Sequence, residues 1–514
     1  MSGQEQLEAT SLMRNGICRA IRIAIIFVAT VANAETPAAG HQVFLVQNSG
    51  WMEPFYADPS SKLKPLVDAL ITAISDSEEQ VTVASFNQKT PANPSPNLIY
   101  NGKPNSTQLK TALQSLEVAQ KGARQGMADT DFKEAIEASI GALQRRPGIL
   151  WIFTNNKNSP QNDPDTVKRN REFYTLLHHT AAISRTIAFP LAMPVKGKHY
   201  TASGLMVYAL AYGEEADRKL QQLISTGRIG KVLLEKPLRL KPLDSDPVEF
   251  SAISAQKSDG GWSSRVKFSN GSAIIDMDVD EKAPLLEFKA LMTNIFNPYR
   301  IDHAQLEGKL SGIWTADLAV TPTEVKELSA GESKEVSIKL PLPLANVPSP
   351  WSPAMMHNFG RVFTLRNTME LILTNQQLGI PDGFKKRLGE IFPGDPMPDV
   401  FVPPSDARTS SVKIPVVVNL HYPVYPIIVI SILLILLLAA MFMLMSRATS
   451  RRSDLVNIRI DGRTESFRLA RSETREVKDG AGNAIARIRR NLLGRPVISS
   501  AGNKDDLTRI SIEN

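Results

Sequence analysis

Two hydroxyl side chains sit in polar runs where they could bind or attack: Ser49 in Gln47-Asn48-Ser49-Gly50-Trp51-Met52, and Thr130 in Met127-Ala128-Asp129-Thr130-Asp131-Phe132. A third polar run, Thr154-Asn155-Asn156, follows an apolar segment. Hydroxyls mixed with carboxylates suit two chemistries, coordination of a hard cation or nucleophilic catalysis. Catalysis needs a base within reach of the nucleophile. No Gly-x-Ser-x-Gly, His-Glu-x-x-His or Gly-rich phosphate loop is present in the chain. His178 and His179 fall in a helical stretch, where adjacent residues diverge by about 100° and do not face one ligand. No catalytic residue is therefore assigned, and the protein is expected not to be an enzyme.

The hydroxyls need elements to hold them. From residue 41, apolar runs of strand length alternate with helical periodicity. Residues 42–47 (QVFLVQ), 80–86 (QVTVASF), 149–153 (ILWIF), 185–189 and 205–211 read as strands. Leu63, Leu66, Val67, Leu70, Ile71 and Ile74 recur at helical spacing, as do Leu109, Leu113 and Leu116. Residues 132–143, 173–182 and 214–224 complete the helices. This alternation predicts an α/β doubly wound domain over residues 35–230, with a mainly parallel sheet and helices on both faces. In such sheets the binding crevice lies at the carboxyl ends of the strands. Gln47 ends the first strand, Asn155 follows the middle one, and Thr130 opens a helix between them. The crevice candidates are therefore Gln47, Asn48, Ser49, Trp51, Asp129, Thr130 and Asn155.

Over residues 41–230 these runs resemble the von Willebrand factor A-type (vWA) family. In that family the first strand ends in Asp-x-Ser-x-Ser, a Thr opens a later helix, and the middle strand ends in Thr-Asp-Gly. Those side chains surround a divalent cation, usually Mg²⁺, that helps capture an acidic group on a partner. Ser49 and Thr130 match. Gln47 stands for the first Asp, Trp51 for the second Ser, and Asn155 for the later Asp. Mg²⁺ is held through one or two carboxylates. The resemblance thus implies a degenerate metal site, no cofactor and a protein-binding role. Ser49, Thr130, Asp129 and Asp131 are what is left to hold an ion.

After residue 231 the helical period fades. Residues 266–268, 273–279, 286–293, 316–320 and 334–340 are short strand-like runs between turn signals such as Asn270-Gly271. They predict an all-β sandwich over residues 231–422, resembling the immunoglobulin-like domains of bacterial surfaces, with Trp314 as a core anchor. Residues 343–404 are Pro-rich around a helical stretch at 384–391 and read as a long insertion or extended connection. Residues 412–420 read as a last strand.

Two apolar segments set the expected topology. Residues 23–31 (IAIIFVATV) follow Arg14, Arg19 and Arg22 and precede Ala32-Asn33-Ala34, the pattern of a signal peptide over residues 1–34, with Met13 as an alternative start. The 19-residue run from Ile427 to Met445 carries no charge. It makes about 28 Å of helix, the thickness of a bilayer's hydrocarbon core, so a transmembrane helix is expected over residues 423–446. Arg447, Arg451 and Arg452 follow, which places the C-terminal side in the cytoplasm under the positive-inside rule.

The net charge is +7, and residues 447–514 hold 15 Lys and Arg against 9 Asp and Glu, so six of those seven charges lie in the tail. A small basic β domain is expected there, with cytoplasmic protein or anionic lipid as its partner classes. The near-neutral remainder argues against nucleic acid as a partner. The one cysteine, Cys18, excludes a disulfide framework. The expectation is a single-pass bacterial envelope protein of the inner membrane, periplasmic at its N-terminal part. Its crevice binds partner proteins outside the cytoplasm, as receptor, adhesion or assembly scaffold. The alternatives are an envelope hydrolase working near Ser49 and Thr130, and a passive membrane anchor.

Overall fold

The computed structural model describes residues 41–514 except 92, 105–106, 122–125, 145, 158–163, 258–264, 280–284, 343–346, 354–361, 394–399, 451–452, 471–472, 492–494, 502–509 and 514. The segment read as a signal peptide lies outside the described residues.

Seven strands form the first sheet: β1 (His41–Gln47), β2 (Val81–Phe86), β3 (Asn97–Gly102), β4 (Gly148–Thr154), β5 (Ile183–Lys196), β6 (Thr201–Tyr212) and β7 (Leu238–Lys241). Their order is β3-β2-β1-β4-β6-β5-β7. Helices α1 (Leu63–Ile74), α2 (Thr107–Gln114), α3 (Phe132–Ala142), α4 (Pro164–His179) and α5 (Glu214–Ser225) flank it. Strands β1 and β4 are covered on both faces, which is why Val43–Val46 and Ile149–Phe153 are unbroken apolar runs. Successive side chains point to opposite layers. Phe44, Val46, Trp151 and Phe153 pack with α1, α2 and α5. Val43, Leu45, Leu150 and Ile152 pack with α3 and α4.

The sheet is mixed rather than mainly parallel. Among the described residues of this sheet, β1–β2 and β1–β4 pair in parallel, and β3, β6 and β7 run antiparallel to their neighbours. For β6 the cause is the short connection 197–200 from β5. A link of that length returns the chain antiparallel, whereas a parallel neighbour needs a crossover of a dozen or more residues. Thr154 pairs with Met206, so residues 201–205 and their partners on β5 run past the end of β4 as a projecting hairpin. Pro190 and Pro194 look like strand breakers in the sequence. They are tolerated because β7 covers only Thr186 to Ala188 on the outer edge of β5, and the register shifts between Ala192 and Val195.

The β-rich part holds β8 (Val248–Lys257), β9 (Arg265–Ser269), β10 (Ser272–Asp278), β11 (Leu285–Asn294), β12 (Arg300–Gly312), β13 (Ala316–Thr321), β14 (Glu324–Leu328), β15 (Ser333–Pro341), β16 (Val362–Gly379) and β17 (Ser410–His421). They form one ten-stranded sheet, ordered β8-β11-β15-β13-β12-β16-β17-β10-β9 with β14 on β12. Alternate residues are buried, as in Leu286, Phe288, Ala290 and Met292 of β11. Phe268 of β9 meets Phe288 of β11 at 6.0 Å, so the two ends of the sheet curl together. Trp314 is buried, and its Nε1 donates to the Pro341 carbonyl at 3.2 Å.

The Pro-rich stretch is not simply an extended connection. It contains β16 and helix α6 (Asp382–Ile391). Leu388, Ile391, Phe392, Val400 and Phe401 then pack into the layer made by α3 and α4.

The C-terminal part opens with helix α7 (Tyr425–Ser450), of which Tyr425–Met445, 21 residues of mean hydropathy 3.3, is long and apolar enough to cross a membrane. Beyond it, β18 (Asp454–Ile460), β19 (Arg463–Leu469) and β23 (Ile510–Glu513) form one small sheet. Strands β20 (Thr474–Lys478), β21 (Ala484–Arg490) and β22 (Pro496–Ser500) form another. Val456, Ile458, Val477 and Ile488 share their core.

Candidate partner-binding site

Gln47, the last residue of β1, is fully buried. Its Nε2 donates to Ser49 Oγ at 2.7 Å, Thr130 Oγ1 at 2.7 Å and the Lys157 carbonyl at 3.1 Å. Its Oε1 accepts from the Thr154 hydroxyl. A carbonyl oxygen only accepts, so the Lys157 carbonyl fixes which way the amide points. Thr130 Oγ1 also donates to Ser49 Oγ at 2.8 Å.

Backbone features put each partner in place. The Gly50 N–H donates to the Ala128 carbonyl at 2.8 Å, and a Cβ on Gly50 would lie 2.5 Å from Met127 Cβ. The loop carrying Thr130 therefore lies flush against the end of β1. Asp131 caps α3, its Oδ1 accepting from the Glu134 N–H at 3.0 Å. Asn156 takes a left-handed φ of 64°, and its N–H donates to Thr154 Oγ1 at 2.7 Å. That turn brings the Lys157 carbonyl back over Gln47. Asn48 faces away. Its Nδ2 donates to the Glu117 carbonyl at 3.2 Å, and its Oδ1 accepts from Asn87 at 3.0 Å.

A hard cation needs several oxygens aimed at one centre, one or two of them carboxylate. Here the space between Ser49, Thr130 and the Lys157 carbonyl holds the Gln47 amide nitrogen, a donor that repels a cation. Asp129 pairs with Lys121 at 2.5 Å, and Asp131 is spent on its cap. No group of three or more His, Cys, Asp or Glu side chains able to hold an ion occurs among the described residues. The residues present do not fit a divalent cation. From sequence, Gln47 reads as a weakened oxygen ligand; in the structure its nitrogen faces the centre.

Trp51 and Asn155 belong to a second group beside the first. Asn155 Nδ2 donates to the Trp51 carbonyl at 2.6 Å, and its Oδ1 accepts the Lys157 N–H at 3.2 Å. Lys157 Nζ lies 5.2 Å from the centroid of the Trp51 ring, within cation–π range. Tyr200, in the turn of the projecting hairpin, packs on Trp51 with centroids 4.5 Å apart.

Sequence reasoning misses Lys157, Tyr200 and Glu53. The buried Glu53 carboxylate accepts the N–H groups of Lys198 at 2.6 Å and His199 at 3.2 Å, which holds the turn that carries Tyr200. The available signal was Gly197, where a Cβ would come within 1.9 Å of Glu53 Oε2. Trp51, Lys157, Tyr200 and Phe392 help line a cavity of about 260 Å³.

No family model matches the chain, and no curated protein matches it. Among solved structures, one neighbour is described as von Willebrand factor type A from Catenulispora acidiphila. It is 10% identical, with a TM-score of 0.19. The match covers 67% of this chain and 66% of that one, just under two thirds of its length.

Proposed function

We propose that this chain is a single-pass envelope protein whose vWA-like α/β part binds a partner protein at the crevice without a metal ion. It acts as receptor, adhesion or assembly scaffold. The observation that carries the reading is the Gln47 amide nitrogen seated between Ser49 and Thr130. The polar groups of the crevice floor satisfy one another, which leaves the Trp51–Lys157–Tyr200 pocket as the accessible chemistry. Both hydroxyls face an amide nitrogen rather than a base, and this supports binding over hydrolysis. Alternating burial supports reading the β-rich part as an immunoglobulin-like spacer.

The apolar length of α7 supports membrane attachment, and Arg447, Arg451 and Arg452 after it support a cytoplasmic C-terminus. In this reading residues 35–422 are periplasmic and the membrane is the inner one of a bacterial cell. The basic tail then meets cytoplasmic protein or anionic lipid.

Photo-crosslinking from the crevice in native membranes tests the reading. It predicts a discrete partner whose crosslink is lost in Trp51→Ala. Turnover of a panel of ester, phosphoester and glycoside substrates that vanishes in Ser49→Ala would replace it with a hydrolase. Protease that trims residues 447–514 in intact spheroplasts but spares 35–422 would reverse the orientation.

A further inference from the structure

The pocket beside the plugged centre has an unusual balance of donors. Lys157 is half-buried and makes no ion pair with any described residue; its one ring contact is with Trp51. The Trp51 indole N–H is buried with no hydrogen-bond partner among the described residues. A buried donor left unpaired costs about 1–3 kcal/mol, so such a group is a candidate to meet an acceptor from outside. One cationic donor and one neutral donor thus belong to side chains that line the same cavity. The other walls include the rings of Tyr200 and Phe392. A cavity of about 260 Å³ has room for one side chain rather than a nucleotide or an oligosaccharide.

We propose that this pocket receives the carboxylate of an acidic side chain on a partner protein, with Lys157 as the counter-ion and the Trp51 indole N–H as second donor. The carboxylate offers two oxygens, one for each donor, and its aliphatic stem lies against Tyr200 and Phe392. The charge that meets the acid is a lysine ammonium, not a metal ion. Glu53 positions the pocket by holding the turn that carries Tyr200. The inference rests on the protein-binding reading above.

The test uses the full chain in lipid nanodiscs, with ¹⁵N-labelled indoles. Five tryptophans give five indole signals, and Trp51→Phe assigns the one that matters. The probes are a doubly blocked Ala-Ala-Glu-Ala-Ala peptide and its Gln counterpart. The Glu peptide should shift the Trp51 signal saturably, and the Gln peptide should bind about tenfold more weakly or worse. Lys157→Met keeps the stem and loses the charge; it should lose the preference for Glu while its unfolding midpoint stays put.

The inference is overturned if both peptides bind alike, if the Glu peptide gives no shift, or if Lys157→Met binds it as the wild type does. Crosslinking in membranes separates this failure from failure of the parent reading. A partner still captured by Lys157→Met but lost in Trp51→Ala leaves protein binding intact and removes the acid pocket. Absence of any partner that Trp51→Ala removes overturns the parent reading.

Discussion

The amide nitrogen of Gln47 lies 2.7 Å from the hydroxyl of Thr130, 83 positions away in sequence, and both side chains are sealed from solvent. This bond joins the end of β1 to the loop that opens α3. It puts a neutral donor between hydroxyls that a cation would otherwise need. Gln47→Ala takes one partner from each of the Ser49, Thr130 and Thr154 hydroxyls and leaves a cavity, so it should cost about 2–5 kcal/mol in denaturant unfolding. Gln47→Glu sets a carboxylate against the Lys157 carbonyl. Burial raises the pKa of that acid, so the variant should be closest to wild type at low pH, where a protonated acid can donate, and should weaken as pH rises. Equal stability of Gln47→Glu and wild type at neutral pH would contradict this arrangement.

The same geometry predicts indifference to divalent ions. A ligand that binds only the folded state raises its stability in proportion to its saturation, so about 10 mM Mg²⁺ should leave the wild-type midpoint where it is. An upward shift, reversed by chelator, would mean that a cation displaces the amide.

The two aspartates flanking Thr130 should behave as structural groups of unequal weight. Asp131→Ala removes the cap of α3 and should cost about 1 kcal/mol. Asp129→Ala removes a partly exposed pair with Lys121 and should cost less, between about 0 and 1 kcal/mol. Calorimetry or urea titration of the two variants decides it.

Gly197 and Glu53 predict a coupled defect. Ala at position 197 drives a methyl into the Glu53 carboxylate and loosens the turn that carries Tyr200. Gly197→Ala should shift the Trp51 indole signal as well as lower the midpoint. Glu53→Gln, which keeps an acceptor, should do so less. An unmoved indole signal in Gly197→Ala would uncouple the turn from the pocket.

Two histidines give the α/β part an acid-sensitive component. Burial is the main cause lowering the pKa of His178, against the raising effect of its bonds to the Val400 and Leu240 carbonyls. Burial also dominates at His41, with Arg146 adding to it and Glu79 opposing it. A folded-state pKa below the unfolded value means that the unfolded chain binds the proton more tightly. The contribution is therefore full above the ordinary value of 6.5 and is lost as pH falls from there through the folded pKa. His178→Gln should flatten the fall in unfolding free energy between about pH 7 and pH 5. An unchanged slope would exclude His178 as its source.

Much of the first sheet is legible in sequence because β1, β2 and β4 are buried on both faces and so remain largely apolar. Strand β3 is not, since an edge strand can carry an exposed Leu98 and polar neighbours. The β5–β6 hairpin escapes because two prolines mask it, and together with the missed edge strands this turns a mixed sheet into a nominally parallel one. In the site, Ser49 and Asn155 can be picked out by their place after strands, and Thr130 by its place at the start of a helix. Which end of the Gln47 amide faces inward cannot, because the same side chain carries a donor and an acceptor and only the three-dimensional neighbours choose. Lys157 looks in sequence like any loop lysine. Its role depends on Trp51, about a hundred residues upstream.

Ile391 and Phe401 fill a seat on the α/β layer from a stretch of chain that follows most of the β-rich strands. A fragment trimmed just after β7 would therefore bare that seat and tend to self-associate. The smallest piece worth expressing for biophysics must continue past Phe401, so the α/β part and the β-rich part have to be purified as one.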